Sequence, residues 1–96
     1  MDWLGELRGG GKSAEERQAE RLNKKAANLI VRGQLDEAET LLSQALKVAP
    51  NMGAIHHNLG TVYLNQRKFD PALKDLRRAV RLDPSDVESK IAVAKV

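Results

Sequence analysis

The chain has 96 residues, no cysteine, and 16 basic side chains against 13 acidic ones, for a formal charge of +3. That length holds one domain with a thin core, and the missing cysteines remove disulfides, thiol nucleophiles, thiolate zinc sites and iron–sulfur clusters together. Hydrophobic content of 42% with 30% charge describes a globule rather than a disordered tail. No apolar run approaches the ~20 residues of a membrane span.

The first twelve residues stand apart. Trp3, Leu4 and Leu7 form an apolar triplet on one side of a short helix, cut off by Gly9-Gly10-Gly11. Nothing in this stretch resembles the apolar centre of a secretory leader, and with no cysteine the expected compartment is cytoplasmic. The linker from Arg8 to Lys12 has an rms reach of about 12 Å. The triplet is read as a docking motif, for the domain's own edge, a neighbouring copy or a partner, against the plain alternative of a frayed end. The run Gly9 to Ser13 imitates a phosphate-binding loop, but Glu6 stands where the first glycine is required and no strand precedes it. Ser13-Ala-Glu-Glu16 has capping-box spacing, so Ser13 starts the first helix.

Further along, Gly33 breaks the chain, and Asp36 is the expected cap of a helix ending near Val48. Asn51 is expected to cap a helix running to about Gln66. Asp70 before Pro71 reads as a cap followed by a first-turn proline, opening a helix that ends at Leu82 before Pro84. Ser85-Asp-Val-Glu88 repeats the capping-box pattern and starts a fifth helix. No window alternates long enough for a strand, so the fold class is all-α.

The chain also repeats itself. With residues 19–52 laid over 53–86, an offset of 34, five positions are identical: Asp36/Asp70, Ala38/Ala72, Leu42/Leu76, Ala45/Ala79 and Pro50/Pro84. Ala26/Gly60, Leu29/Tyr63, Ile30/Leu64, Leu35/Phe69, Leu46/Val80 and Val48/Leu82 match in character. The matches are apolar, small or turn-forming, as in a repeated packing unit whose surfaces have diverged. Small residues at 26, 38, 45, 60, 72 and 79 predict antiparallel helices approaching to ~8–10 Å. Tyr63 and Phe69 are expected to plug the end of the second hairpin, and Leu73, Leu76, Ala79, Val80 and Leu82 to face inward.

This pattern resembles the tetratricopeptide repeat, Trp-x2-Leu-Gly-x2-Tyr, then Ala-x3-Phe, then Pro. The second unit reads His56, Leu59, Gly60, Tyr63, Ala72, Leu76, Ala79, Pro84; the first, Leu22, Lys25, Ala26, Leu29, Ala38, Leu42, Ala45, Pro50. Lys25 in a leucine slot and Lys90 in the tryptophan slot of the fifth helix depart from it. The resemblance implies two stacked hairpins of a short right-handed superhelix, an α-solenoid, with repeats at about 19–52 and 53–86. A solvating capping helix at about 86–95 completes a domain over residues 13–96, after the motif and linker of 1–12.

It also implies a concave groove that holds a peptide or a partner helix. Carried over, the groove presents Asn23, Ala27 and Ile30 from the first unit and His57, Asn58, Thr61 and Asn65 from the second. The alternative is that these are ordinary solvated helix positions, since fold analogy alone does not make a site. Some relatives clamp a terminal carboxylate with Lys, Arg and Asn. Asn58 matches one Asn slot, but Asn23, Ala27, Glu88 and Ala92 occupy slots that the clamp needs filled otherwise, and Glu88 repels a carboxylate.

Catalytic readings find no support. His56 and His57 are adjacent, point about 100° apart on a helix and do not chelate one metal. Ser13 and Ser85 are read as caps, and Ser43 and Ser89 as exposed, with no base beside any of them. No cofactor or metal is expected.

The charge is local. Residues 71–82 carry Lys74, Arg77, Arg78 and Arg81 against Asp75, and the remainder of the chain balances. The four share one helix face at i, i+3, i+4, i+7 spacing. This basic patch is read first as a solvated outer face and second as a site for an acidic protein. A nucleic-acid or anionic-surface binder through this stripe is the less favoured reading, because four charges bind phosphates weakly and no aromatic is interleaved. The function expected is protein–protein interaction as a small adaptor or assembly scaffold. The alternative is a self-associating module, a homodimer through groove, edge or N-terminal segment.

Overall fold

The computed structural model describes residues 13–95, so the expectation of a docking motif at Trp3, Leu4 and Leu7 lies outside the described residues. Five helices follow in order: α1 (Ala14–Val31), α2 (Leu35–Val48), α3 (Gly53–Asn65), α4 (Phe69–Leu82) and α5 (Val87–Lys95). There is no strand among the described residues. The fold is an all-α stack of hairpins: α1 packs on α2, α3 on α4, and α5 on α4, while α3 also touches α1 and α2.

The two hairpins repeat at the level of single hydrogen bonds. Gly33 N donates to Ile30 O and Gln34 N to Leu29 O; 34 residues on, Arg67 N donates to Leu64 O and Lys68 N to Tyr63 O. Gly33 (φ 80°) and Arg67 (φ 62°) both adopt the left-handed conformation that ends a helix. The second-helix ends match too, with Ala49 N on Ala45 O and Asp83 N on Ala79 O, both at 2.8 Å. The period therefore lives in the turns as well as in the apolar faces.

Alanine dominates the core. Ala19, Ala26, Ala38, Ala45, Ala72 and Ala79 are fully buried, around Leu42, Ile55, Val62 and Leu76. Short side chains at the helix contacts let the axes approach, and the larger residues fill the gaps between them. Gly60 shows how close that approach is: a Cβ added there meets Leu76 Cγ at 2.6 Å.

Ser13 caps α1 as its spacing predicts. Its hydroxyl accepts from Glu16 N and its own N–H donates to Glu16 Oε1, each at 3.1 Å. The other expected caps are displaced. Gln34, Met52 and Lys68 occupy the N-cap positions of α2, α3 and α4 without side-chain caps, so Asp36 and Asp70 lie inside the first turn and Asn51 lies outside the helix. There Asp36 and Asp70 act through the helix dipole instead. Pro71 falls at the third position of α4, where its missing N–H is still one of the helix's unpaired donors. For α5 the acceptor is Asp86, not Ser85: Asp86 Oδ1 takes Ser89 N at 3.0 Å, while Ser85 bonds back to Asp83.

Two apolar expectations fail at the edges. Phe69 is 51% exposed and Leu82 42%, so neither plugs the hairpin nor faces inward. Nor is α5 a solvating cap: it buries Ser89 completely and turns Val87 and Ile91 outward.

Candidate functional site: the α1–α3–α5 face

The first helices of the two hairpins lie side by side, and two polar ties fix their neighbours. Asn58 Nδ2 on α3 donates to Asn23 Oδ1 on α1 at 2.8 Å. His57 Nδ1 on α3 approaches Ser89 Oγ on α5 at 2.6 Å. Asn23, Ala27, Ile30, His57, Asn58 and Thr61 are half-buried along this face and Asn65 is exposed. The structure brings Asn23 and Asn58 together and turns His57 towards Ser89 of α5. The Thr61 hydroxyl donates to His57 O of its own helix at 3.0 Å. Asn58 Oδ1 and Asn23 Nδ2 take no part in this inter-helix bond.

The tie to α5 is a three-residue cluster. Ser89 Oγ donates to Asp86 Oδ2 at 2.6 Å, and His57 Nδ1 lies 3.3 Å from the same carboxylate oxygen. Burial, the largest effect on Asp86, pushes its carboxyl up; the hydrogen bonds from Ser89 and the charge of His57 outweigh it and hold the group below the ordinary carboxylate value. Ser89 thus has a base beside it, contrary to the expectation that no serine does. The arrangement is nevertheless not that of an activated nucleophile. The serine's single proton goes to the carboxylate, so the ring nitrogen donates to Ser89 rather than accepting from it, and Ser89 is fully buried. The cluster locks α5 onto α3.

His56 faces the other way, in the slot where the resembled pattern places tryptophan. Its Nδ1 lies 3.0 Å from Asp75 Oδ1 on α4 and its Nε2 2.9 Å from the Pro50 carbonyl, with the residue 3% exposed. Both partners are acceptors, one facing each ring nitrogen. The two adjacent histidines therefore serve two different seams of the fold.

Two clefts open along the α1–α3–α5 side. One, of about 490 Å³, lies between α1 and the start of α3 and is lined by Arg17, Arg21, Asn23, Lys24 and Met52 among others. The second, of about 600 Å³, lies between the second hairpin and α5, lined by Leu64, Phe69, Ile91 and Ala92 and flanked by Glu88 and Lys95. Of this second set Phe69 is expected as a plug, Leu64 as a repeat match, and Glu88 and Ala92 in clamp slots, while Ile91 is singled out by none of these patterns. The spacing of Val87 and Ile91, one turn apart, was the available signal.

On α4, Lys74, Arg77, Arg78 and Arg81 are all exposed, but two depressions divide them. Arg77 and Arg81 open towards Lys90 of α5; Arg78 and Arg81 border Pro50, Asn51 and Leu82. Asp75, the one acid in that segment, is taken by His56.

Residues 53–86 match the family model described as tetratricopeptide repeat. One tetratricopeptide repeat is matched, over that stretch. The matched span is α3 with α4 and the turn beyond, and the repeat's Leu59, Gly60, Ala72, Leu76 and Ala79 are among its buried positions. His56 holds the repeat's tryptophan slot with a polar clamp in place of an indole. Tetratricopeptide repeats are in general protein–protein interaction modules. No described helix is long and apolar enough to cross a membrane.

Proposed function

We propose that this tetratricopeptide repeat chain is an adaptor or assembly scaffold that holds a peptide or a partner helix along its α1–α3–α5 face, and that residues 19–52 form a second, diverged repeat. The observation that carries the reading is the apolar cleft of about 600 Å³ at Leu64, Phe69 and Ile91, exposed beside a row of polar groove residues. Large exposed apolar patches on small domains mark interaction surfaces. An apolar side chain of the ligand enters the cleft, while Asn23, Asn58, Thr61 and Asn65 meet its backbone. The test is partner retention by the pair Thr61→Arg and Asn65→Arg, with Ser43→Arg and Gln44→Arg on the opposite helix α2 as controls. Loss of the partner with the first pair alone supports the groove; equal loss with both refutes it.

A second reading, self-association, is favoured by Val87 and Ile91, which are 61% and 49% exposed on α5. Light scattering over a concentration series separates it: a monomer at the highest concentration removes it, and a dimer that Ile91→Asp dissolves establishes it.

A further inference from the structure

Beyond the groove, the junction of α4 and α5 forms a second and independent surface. Arg77 and Arg81 of α4 and Lys90 of α5 surround a depression of about 370 Å³ floored by Val80 and Val93. None of its lining residues is acidic, and the acids nearest in sequence are engaged elsewhere. Asp75 Oδ1 pairs with His56 at 3.0 Å, Asp83 Oδ1 accepts the Ser85 hydroxyl at 2.6 Å, and Asp86 is held by Ser89 and His57. Glu88 lines the cleft with Leu64 and Phe69. Three cations from two helices thus converge on an apolar floor without local neutralisation.

We propose that this depression docks an acidic peptide segment of a protein partner, with one aliphatic side chain seated on Val80 and Val93 and flanking carboxylates paired with Arg77, Arg81 and Lys90. Arginine forks match carboxylates two bonds at a time, and the aliphatic contact removes apolar surface from water. The floor is what selects a peptide over a polyanion. A phosphate backbone has no group to bury against two valines, three cations supply few phosphate contacts, and the lining holds no aromatic for base stacking. Lys90 joins the site only through the packing of α5 on α4, so the site exists in the folded chain and not in the isolated basic helix.

The probe is a short synthetic peptide of alternating Glu and Leu, titrated into the full chain while backbone amide shifts are followed. The expected result is saturable shifts at Arg77, Val80, Arg81, Lys90 and Val93, weakening as salt rises. Lys90→Glu, an exposed single change, should weaken binding about tenfold or more, and Lys74→Glu, on α4 but outside the depression, should leave it within about twofold. The Gln-for-Glu version of the peptide should not bind. Absence of saturable shifts, equal loss with Lys74→Glu, or binding of polyuridylate or phosphatidylserine vesicles without binding of the acidic peptide overturns the proposal. Melting curves of both variants that match the parent exclude unfolding as the cause.

Discussion

Gly60 sits where α3 presses on Leu76, a residue 1% exposed. A methyl group placed there would stand 2.6 Å from Leu76 Cγ, so the core side chain must leave its rotamer or the helices must part. Gly60→Ala should therefore destabilise by about 1–3 kcal/mol despite alanine's better helix propensity, read as a lower thermal midpoint. Arg67 is the opposite case. It holds the left-handed turn conformation that Gly33 holds in the first hairpin, at a steric cost glycine avoids. Arg67→Gly should stabilise by roughly 0.5–1 kcal/mol after the larger unfolded-state entropy of glycine is subtracted, and denaturant midpoints check it. The need for a small residue at 60 was legible from its match with Ala26. The strain at 67 was not, because arginine chemistry carries no turn signal and only its alignment with Gly33 points to it.

Helices were easier to find than their ends. Cap, break and repeat signals located all five, yet α2 and α4 are capped at Gln34 and Lys68, two residues before the Asp36 and Asp70 expected there. The first intrahelical bonds run from Ala38 N to Gln34 O and from Ala72 N to Lys68 O, and backbone geometry rather than a capping side chain sets those ends. At α5 a side chain does set the end. Asp86 takes Ser89 from below and His57 from α3, and its carboxyl is held lower in the fold than in the open chain. Such a group adds stability that is complete above the unfolded carboxylate value near 4 and is lost as pH falls through the lower folded value. Asp86→Asn should thus melt below the parent at neutral pH, and the gap should close as the pH drops below about 4; melting curves across acid pH measure it. Ser89 misled the residue reading because a hydroxyl suggests exposure. Its repeat partner is Ile55, likewise fully buried, and that correspondence held the information.

At the scale of the molecule, two hairpins of equal geometry and one further helix make a layer of α1, α3 and α5 backed by α2 and α4. Stacked repeats bury a continuous core between neighbours, and one flank of α5 is uncovered in this structure. That is where Phe69, Val87 and Ile91 remain in contact with water and where the apolar cleft opens. The positions proposed for the groove on α1 and α3 were legible through the family resemblance that the period carries. The cleft was not, since it arises from how α5 meets the second hairpin, which depends on the buried Ser89–Asp86–His57 lock and not on any local pattern.

The proposed function requires the α1–α3–α5 face to receive the partner. Site-specific photocrosslinking in native lysate tests it most directly, with the reactive side chain placed in turn at Asn65 and Ile91 on that face and at Ser43 and Gln44 on α2. One shared protein adduct is expected from Asn65 and Ile91, and none from Ser43 and Gln44. Adducts from the α2 positions alone, or the same adducts from both sides, would contradict it.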